Sequence, residues 1–120
     1  METKIKNTST LPENFISWDD SVARVGGEED FLIELLNDLK VMVKDNVEKI
    51  QKHINENNYK EIRELAHSMK GASGNLGLST MYDTTLNLEN NAKEEHIENV
   101  NKYFKNLEID YKNLEILLSD

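Results

Sequence analysis

Apolar residues in this chain recur at spacings of three and four, with polar residues filling the gaps. That period matches the 3.6-residue turn of a helix, whereas a half-buried strand would alternate every second residue. The longest stripe is Leu32, Leu35, Leu36, Leu39, Met42, Val43, Val47, Ile50 and Ile54. It predicts one long helix, opened by Glu28, Glu29 and Asp30 at the positive end of the helix dipole. The polar run Asn55-Glu56-Asn57-Asn58 breaks the pattern and predicts a turn. Tyr59, Ile62, Leu65, Ala66, Met69, Ala72 and Leu76 form the next stripe, with a stop at Gly77. Another helix starts near Ser79 or Thr80 and carries Met81, Tyr82, Thr85, Leu88 and Ala92. A polar stretch from Asn90 to Glu95 separates it from a last helix running from Ile97 to Leu118. Ahead of all four, Ser17-Trp18-Asp19-Asp20 has the shape of a capping box and opens a short helix that stops at Gly26-Gly27.

Short links make sequential helices antiparallel neighbours. The expected fold is therefore all-α: an up-down-up-down antiparallel four-helix bundle with a short extra N-terminal helix. Residues 1–15 read as a flexible N-terminal arm and residues 16–120 as the bundle. The only proline, Pro12, lies in that arm.

The composition narrows the functional classes. Hydrophobic residues make up 38% and charged residues 31%, the balance of a soluble globular domain. No apolar run is long enough to span a bilayer, and the polar start METKIKNTSTLPEN lacks the core of a signal peptide. A cytoplasmic location is expected, either as a free-standing protein or as a domain of a larger sensor kinase. The absence of cysteine removes disulfides, thiolate metal sites and cysteine nucleophiles. A formal charge of −9 repels phosphate backbones, so nucleic-acid binding is not expected.

Candidate chemistry gathers in "RELAHSMKGASGNLGLST", Arg63 to Thr80. Each helical residue advances by about 100°, which sets His67 roughly 160° from the centre of its helix's apolar stripe. His67 should thus face solvent, and Lys60, Arg63, Gly71 and Gly74 share that face, with Lys70 at its flank. Glycine inside a helix costs roughly 1 kcal/mol against alanine, so two of them one and two turns beyond a histidine need a cause. Missing side chains there would let another surface approach an exposed imidazole. Such an imidazole is a nucleophile near neutral pH, and nearby cations would offset an added phosphoryl charge.

The stretch "AHSMKGASGNLGL", Ala66 to Leu78, resembles the signature of histidine-containing phosphotransfer domains. That signature is a histidine, a lysine three on, a glycine four on and a glycine ten on, here His67, Lys70, Gly71 and Gly77. "WDDSVARVGGEEDFLIELLNDL" upstream and "TMYDTTLNLENNAKE" downstream are similar to the family's neighbouring helices. The resemblance covers roughly residues 16–118. It implies a phosphorelay intermediate without autokinase activity. His67 would accept a phosphoryl group from a receiver-domain aspartate and pass it to another, with Lys70 as electrostatic partner. The implied partners are response-regulator receiver domains and a sensor or hybrid histidine kinase. The receiver would supply Mg²⁺, no cofactor is expected in this chain, and a monomer is expected. Some members carry a glutamine on the following helix, bonded to the second imidazole nitrogen. Glu89 stands there, either as that partner or as a solvated carboxylate. Val22, Val25, Phe31 and Leu32 are candidates for an apolar border of the docking surface, or else core.

Two other classes stay in view. One is a helical bundle that only binds proteins. The other is a metal-binding bundle, because Glu64 and His67 form a Glu-x-x-His unit. A di-metal bundle needs two such units and two further inward glutamates. Here there is one unit, and His53 and His96 lack a glutamate three residues before them.

Overall fold

The computed structural model describes residues 11–119 of the chain. Five helices follow in order: α1 (Trp18–Arg24), α2 (Glu29–Asn55), α3 (Tyr59–Asn75), α4 (Ser79–Lys93) and α5 (Ile97–Leu118). There is no strand among the described residues. Helix α2 packs on α3, α3 on α4, α4 on α5, and α5 back on α2, while α1 lies against α2. The four long helices therefore close a ring around one core.

The stripes account for most of that core. Leu32, Leu36, Leu39, Val43, Ile50 and Ile54 of α2 meet Ile62, Ala66 and Met69 of α3. Met81, Leu88 and Ala92 of α4 and Val100, Phe104, Leu107, Leu114 and Leu117 of α5 complete it. Burial of the larger of these side chains contributes roughly 1.5–3 kcal/mol each relative to exposure. Most of residues 1–15, the expected arm, lies outside the described residues. Its C-terminal part is not loose: Phe15 is fully buried and Leu11 packs on the core. The Thr80 hydroxyl donates to the Asn14 carbonyl at 3.1 Å and ties this stretch to α4.

Each link between the long helices uses one and the same turn. In the first, the Asn58 N–H donates to the His53 carbonyl and the Asn57 N–H to the Ile54 carbonyl. Leu78 to Ser73 with Gly77 to Gly74, and His96 to Asn91 with Glu95 to Ala92, repeat the pair. These bonds are the Schellman arrangement, which satisfies the last helical carbonyls and requires a left-handed residue. Asn57 (φ 56°), Gly77 (φ 76°) and Glu95 (φ 56°) fill that position. The Gly26-Gly27 joint after α1 is closed in the same way, from Gly26 to Ala23 and from Gly27 to Val22.

The start of α1 differs from its expected capping box. Ser17 does stand at the N-cap, but its hydroxyl makes no capping bond. Asp20 does not reach back, because Arg24 one turn on takes its carboxylate at 2.8 Å. Arg24 also donates to the Gly74 carbonyl at 3.1 Å, which brings a cation to the C-terminal end of α3, whose own last turn has none.

Several polar residues sit in the core. Ser73 and Thr85 donate to carbonyls one turn back, at 2.7 and 2.8 Å, and so bury their hydroxyls at little cost. Asp110 is different: it is 3% exposed and its Oδ2 has no hydrogen-bond partner. Burial pushes its pKa up to about 6, against a hydrogen bond from Thr84 that works downward. Between the ordinary carboxylate value and about 6 the folded state holds a proton that the unfolded chain releases. Stability therefore falls as pH rises through that window and stays low above it. Asp110→Asn removes the charge without changing the shape. It should stabilise the protein by on the order of 2 kcal/mol at pH 7.5 and far less at pH 4.5. Thermal melts of both proteins at the two pH values check this; an equal gain at both would show that Asp110 is not the titrating group.

Candidate functional site

The apolar face of α3 turns Ile62, Ala66 and Met69 inward, and this leaves His67 on the outer side of the bundle. Its side chain is 67% exposed. The ring is nevertheless held. Nδ1 stands 2.6 Å from Oε2 of Glu89, which reaches across from α4. The other carboxylate oxygen, Oε1, lies 2.7 Å from Lys70 Nζ. One carboxylate thus joins the histidine and the lysine, which are one turn apart on α3.

The carboxylate is mostly sheltered, with 16% of the Glu89 side chain exposed. Burial works to raise its pKa, but the contacts from Lys70 and His67 outweigh it and hold Glu89 below the ordinary glutamate value. Conversely, the direct contact with Glu89 raises Lys70 above the ordinary lysine value, against a smaller effect of burial. Both shifts favour a charged pair at neutral pH. An ionised carboxylate only accepts hydrogen bonds, so the 2.6 Å contact assigns the proton of the neutral ring to Nδ1. The lone pair is then on Nε2, and among the described residues the ring is engaged through Nδ1 alone. The arrangement leaves the Nε2 edge of the imidazole outward, with an ammonium within one helical turn.

The glycines of the site separate. A Cβ added at Gly71 would meet nothing within 4 Å, so the turn beyond His67 is open. Gly74, expected beside it on the open face, is half-buried. A Cβ there would stand 3.0 and 3.2 Å from Cδ1 and Cε1 of Tyr82. Its absence makes room for the Tyr82 ring rather than for an outside surface. The phase of α3 alone could not reveal this, because α4 widens the buried arc on that flank. Gly77 also has two roles, a positive φ and close packing: a Cβ would be 2.7 Å from the Ser21 hydroxyl of α1.

Arg63, Glu64, His67, Ser68 and Glu89 line an open hollow of about 410 Å³. Lys60 is exposed on the same helix but is not part of that lining. Of the proposed apolar border, Leu32 is fully buried and Val22 and Val25 pack on the core, whereas Phe31 is exposed. Leu32 belongs to the core and cannot serve as a border residue. Tyr82 was placed in the apolar stripe of α4 by its spacing, yet its ring stands at the edge of the site. No group of three or more His, Asp or Glu side chains among the described residues is arranged to hold a metal ion.

The sequence model of the Hpt domain matches residues 34–116, which span all but the start of α2 through nearly all of α5. The chain belongs to the Hpt domain family. Membership implies histidine phosphotransfer in a phosphorelay, the work of modules that act with receiver and kinase domains of two-component systems. The matched span begins after α1, so the helix that braces Gly74 through Arg24 lies outside it. Comparison with curated proteins and with solved structures gives no significant match. Among the described residues, no helix is long and apolar enough to cross a membrane.

Glu89→Gln separates the two contacts of the bridging carboxylate. The amide oxygen can still accept from Nδ1, so the ring should keep its tautomer. Lys70 loses its counter-charge, and its pKa should fall back towards the ordinary lysine value. Nitrogen-15 shifts of His67 and an NMR titration of the Lys70 side chain read the two effects separately. An unchanged Lys70 titration would sever the lysine from Glu89.

Proposed function

We propose that His67 is the phosphorylated residue of this Hpt domain and that it exchanges phosphoryl groups with receiver-domain aspartates. The observation that carries the reading is the exposed ring fixed through Nδ1 by Glu89, with Nε2 left outward. In the forward step Nε2 attacks the phosphorus of an aspartyl phosphate. The N–P bond forms as the O–P bond breaks, and the aspartate leaves as a carboxylate. The Nδ1 proton stays on the ring, and Glu89 offsets the positive charge that the ring gains. Lys70 can turn from Glu89 to the arriving phosphoryl oxygens, as a charge-assisted donor. The Mg²⁺ needed at the aspartate belongs to the receiver, and the reverse transfer uses the same groups. Arg63, and more remotely Lys60, supply positive charge towards an acidic receiver pocket.

An antiparallel up-down-up-down order of α2 to α5 is part of this reading. Three-residue links support it, as does the register in which Glu89 meets His67 while Tyr82, seven residues earlier, meets Gly74. A donor histidine kinase and a cytoplasmic setting complete the proposed relay.

Incubation with a ³²P-labelled phospho-receiver tests the site. The protein should take up label that is acid-labile and alkali-stable, and His67→Gln should take up none. Equal labelling of both would remove His67 from the reaction.

Gly71 tests the approach to the ring. Gly71→Leu puts a bulky side chain on the open turn, where no neighbour within 4 Å opposes it. Circular dichroism should show an unchanged helix content, while transfer from the receiver slows by about tenfold or more, the scale on which a small misplacement of reacting groups acts. A transfer rate equal to the unsubstituted protein would refute the close approach.

A further inference from the structure

Lys70 is 21% exposed, low for a lysine on the outer side of a helix. Its position in the α3–α4 seam explains this. On α3 it lies between His67 and Gly74. Glu89 of α4 meets the first of these, and Tyr82 of α4 packs on the second. Tyr82 and Glu89 are seven residues apart, about 10 Å along the same face of α4. The lysine therefore stands on the stretch of α3 between two contacts from α4, the Glu89 carboxylate on one side and the Tyr82 ring at Gly74 on the other.

The ring is held there by a missing side chain. Its Cδ1 and Cε1 lie where the Cβ of any other residue at position 74 would crowd them. A Cβ on a helix leans towards the N-terminus, so the ring occupies the turn between Gly74 and Lys70. The Tyr82 phenol lies within electrostatic range of Lys70. Beyond the seam, Tyr82 is 37% exposed and borders an open hollow of about 310 Å³ with Arg24, Gly77 and Ser79. The ring thus has space to move away from the lysine, and the contact with Gly74 is what keeps it close.

We propose that Tyr82 is a positioning residue for the reaction at His67: seated on Gly74, its ring closes the far side of that stretch and directs the Lys70 ammonium towards Glu89 and the imidazole. The inference rests on the reading of His67 as the phosphoryl acceptor, and it deepens that reading. It assigns Gly74 to the placement of Lys70 and distinguishes it from Gly71, which keeps the approach open. A lysine free to swing towards the hollow would meet the incoming phosphoryl group less often, and the ring removes that freedom.

The test uses phosphoramidate as donor. It phosphorylates an imidazole with release of ammonia, and it has no docking surface. Any effect of Tyr82 on its rate cannot be a lost partner contact. Tyr82→Ala should slow phosphorylation of His67 by about three- to thirty-fold, the coupling range for residues in contact. The same change in a Lys70→Ala background should cost nothing further, and Tyr82→Phe should restore the rate. Gly74→Ala, which shifts the ring towards the hollow, should slow the reaction by a smaller factor. A loss of equal size with and without Lys70, or no loss at all, overturns the proposal.

A second readout needs no phosphoryl group. In the unphosphorylated protein, Tyr82→Ala should move the Lys70 side-chain NMR signals, and Tyr82→Phe should keep them nearly in place. Unchanged Lys70 signals in Tyr82→Ala overturn the positioning role, whatever the fate of His67. Failure of phosphoramidate and phospho-receiver alike to label the wild-type protein, with the Lys70 signals moving as expected, overturns instead the reading of His67 on which the inference rests.

Discussion

One carboxylate, Glu89, sits in the seam where α3 and α4 meet and holds the functional face together. It is sheltered from water, and an uncompensated charge in that position would be costly. Lys70 at 2.7 Å and the Nδ1–H of His67 at 2.6 Å provide the compensation. The three groups depend on one another. Without Lys70 the carboxylate would drift towards protonation, and a protonated carboxyl no longer dictates which imidazole nitrogen carries the hydrogen. Without the seam, the histidine would be a freely turning surface side chain. A fixed ring orientation and a cation held one helical turn away thus follow from a single carboxylate at a helix–helix contact.

Glycine is the second device of this face, and each of its positions answers a different demand. Gly77 meets a left-handed backbone and gives α1 room for Ser21. Gly74 gives room to an aromatic ring from the neighbouring helix. Gly71 alone faces open space. The cost of glycine inside a helix, about 1 kcal/mol, is offset at Gly74 by packing inside the molecule, whereas Gly77 lies past the end of α3 and does not bear it. At Gly71 no neighbouring side chain within 4 Å uses the space that glycine leaves. The brace from Arg24 to the Gly74 carbonyl adds a tie from α1 at the same place. The short N-terminal helix is thereby coupled to the C-terminal end of α3.

Much of this architecture was legible in the chain. Helix number, approximate limits and the apolar core follow from period and punctuation, because each stripe has to bury one side and two of the three breaks between long helices offer asparagine or glycine to the turn. The outward direction of His67 also follows from phase, since the core direction of α3 is fixed by six or seven apolar residues. The match at His67, Lys70, Gly71 and Gly77 added the chemical family. Less legible were the buried polar residues. Ser73 and Thr85 hide in the core because their hydroxyls bond within their own helices, a choice of rotamer that no spacing announces. Asp110 lies on the core side of α5, and only its burial pushes its pKa up to about 6.

The sequence by itself determined the local and periodic features: which segments are helical, where they stop, which residues lead inward, and which histidine stands outside. Those depend on interactions within a few residues along one helix. What lies between helices was decided only by the tertiary structure. Phase gives a direction from one helix axis but not the neighbour found in that direction, nor its height along the seam. That is why Glu89 could be either a partner or a solvated acid until α4 was seen against α3. It is also why Gly74 reads as open ground in the sequence and proves, in three dimensions, to be the seat of Tyr82.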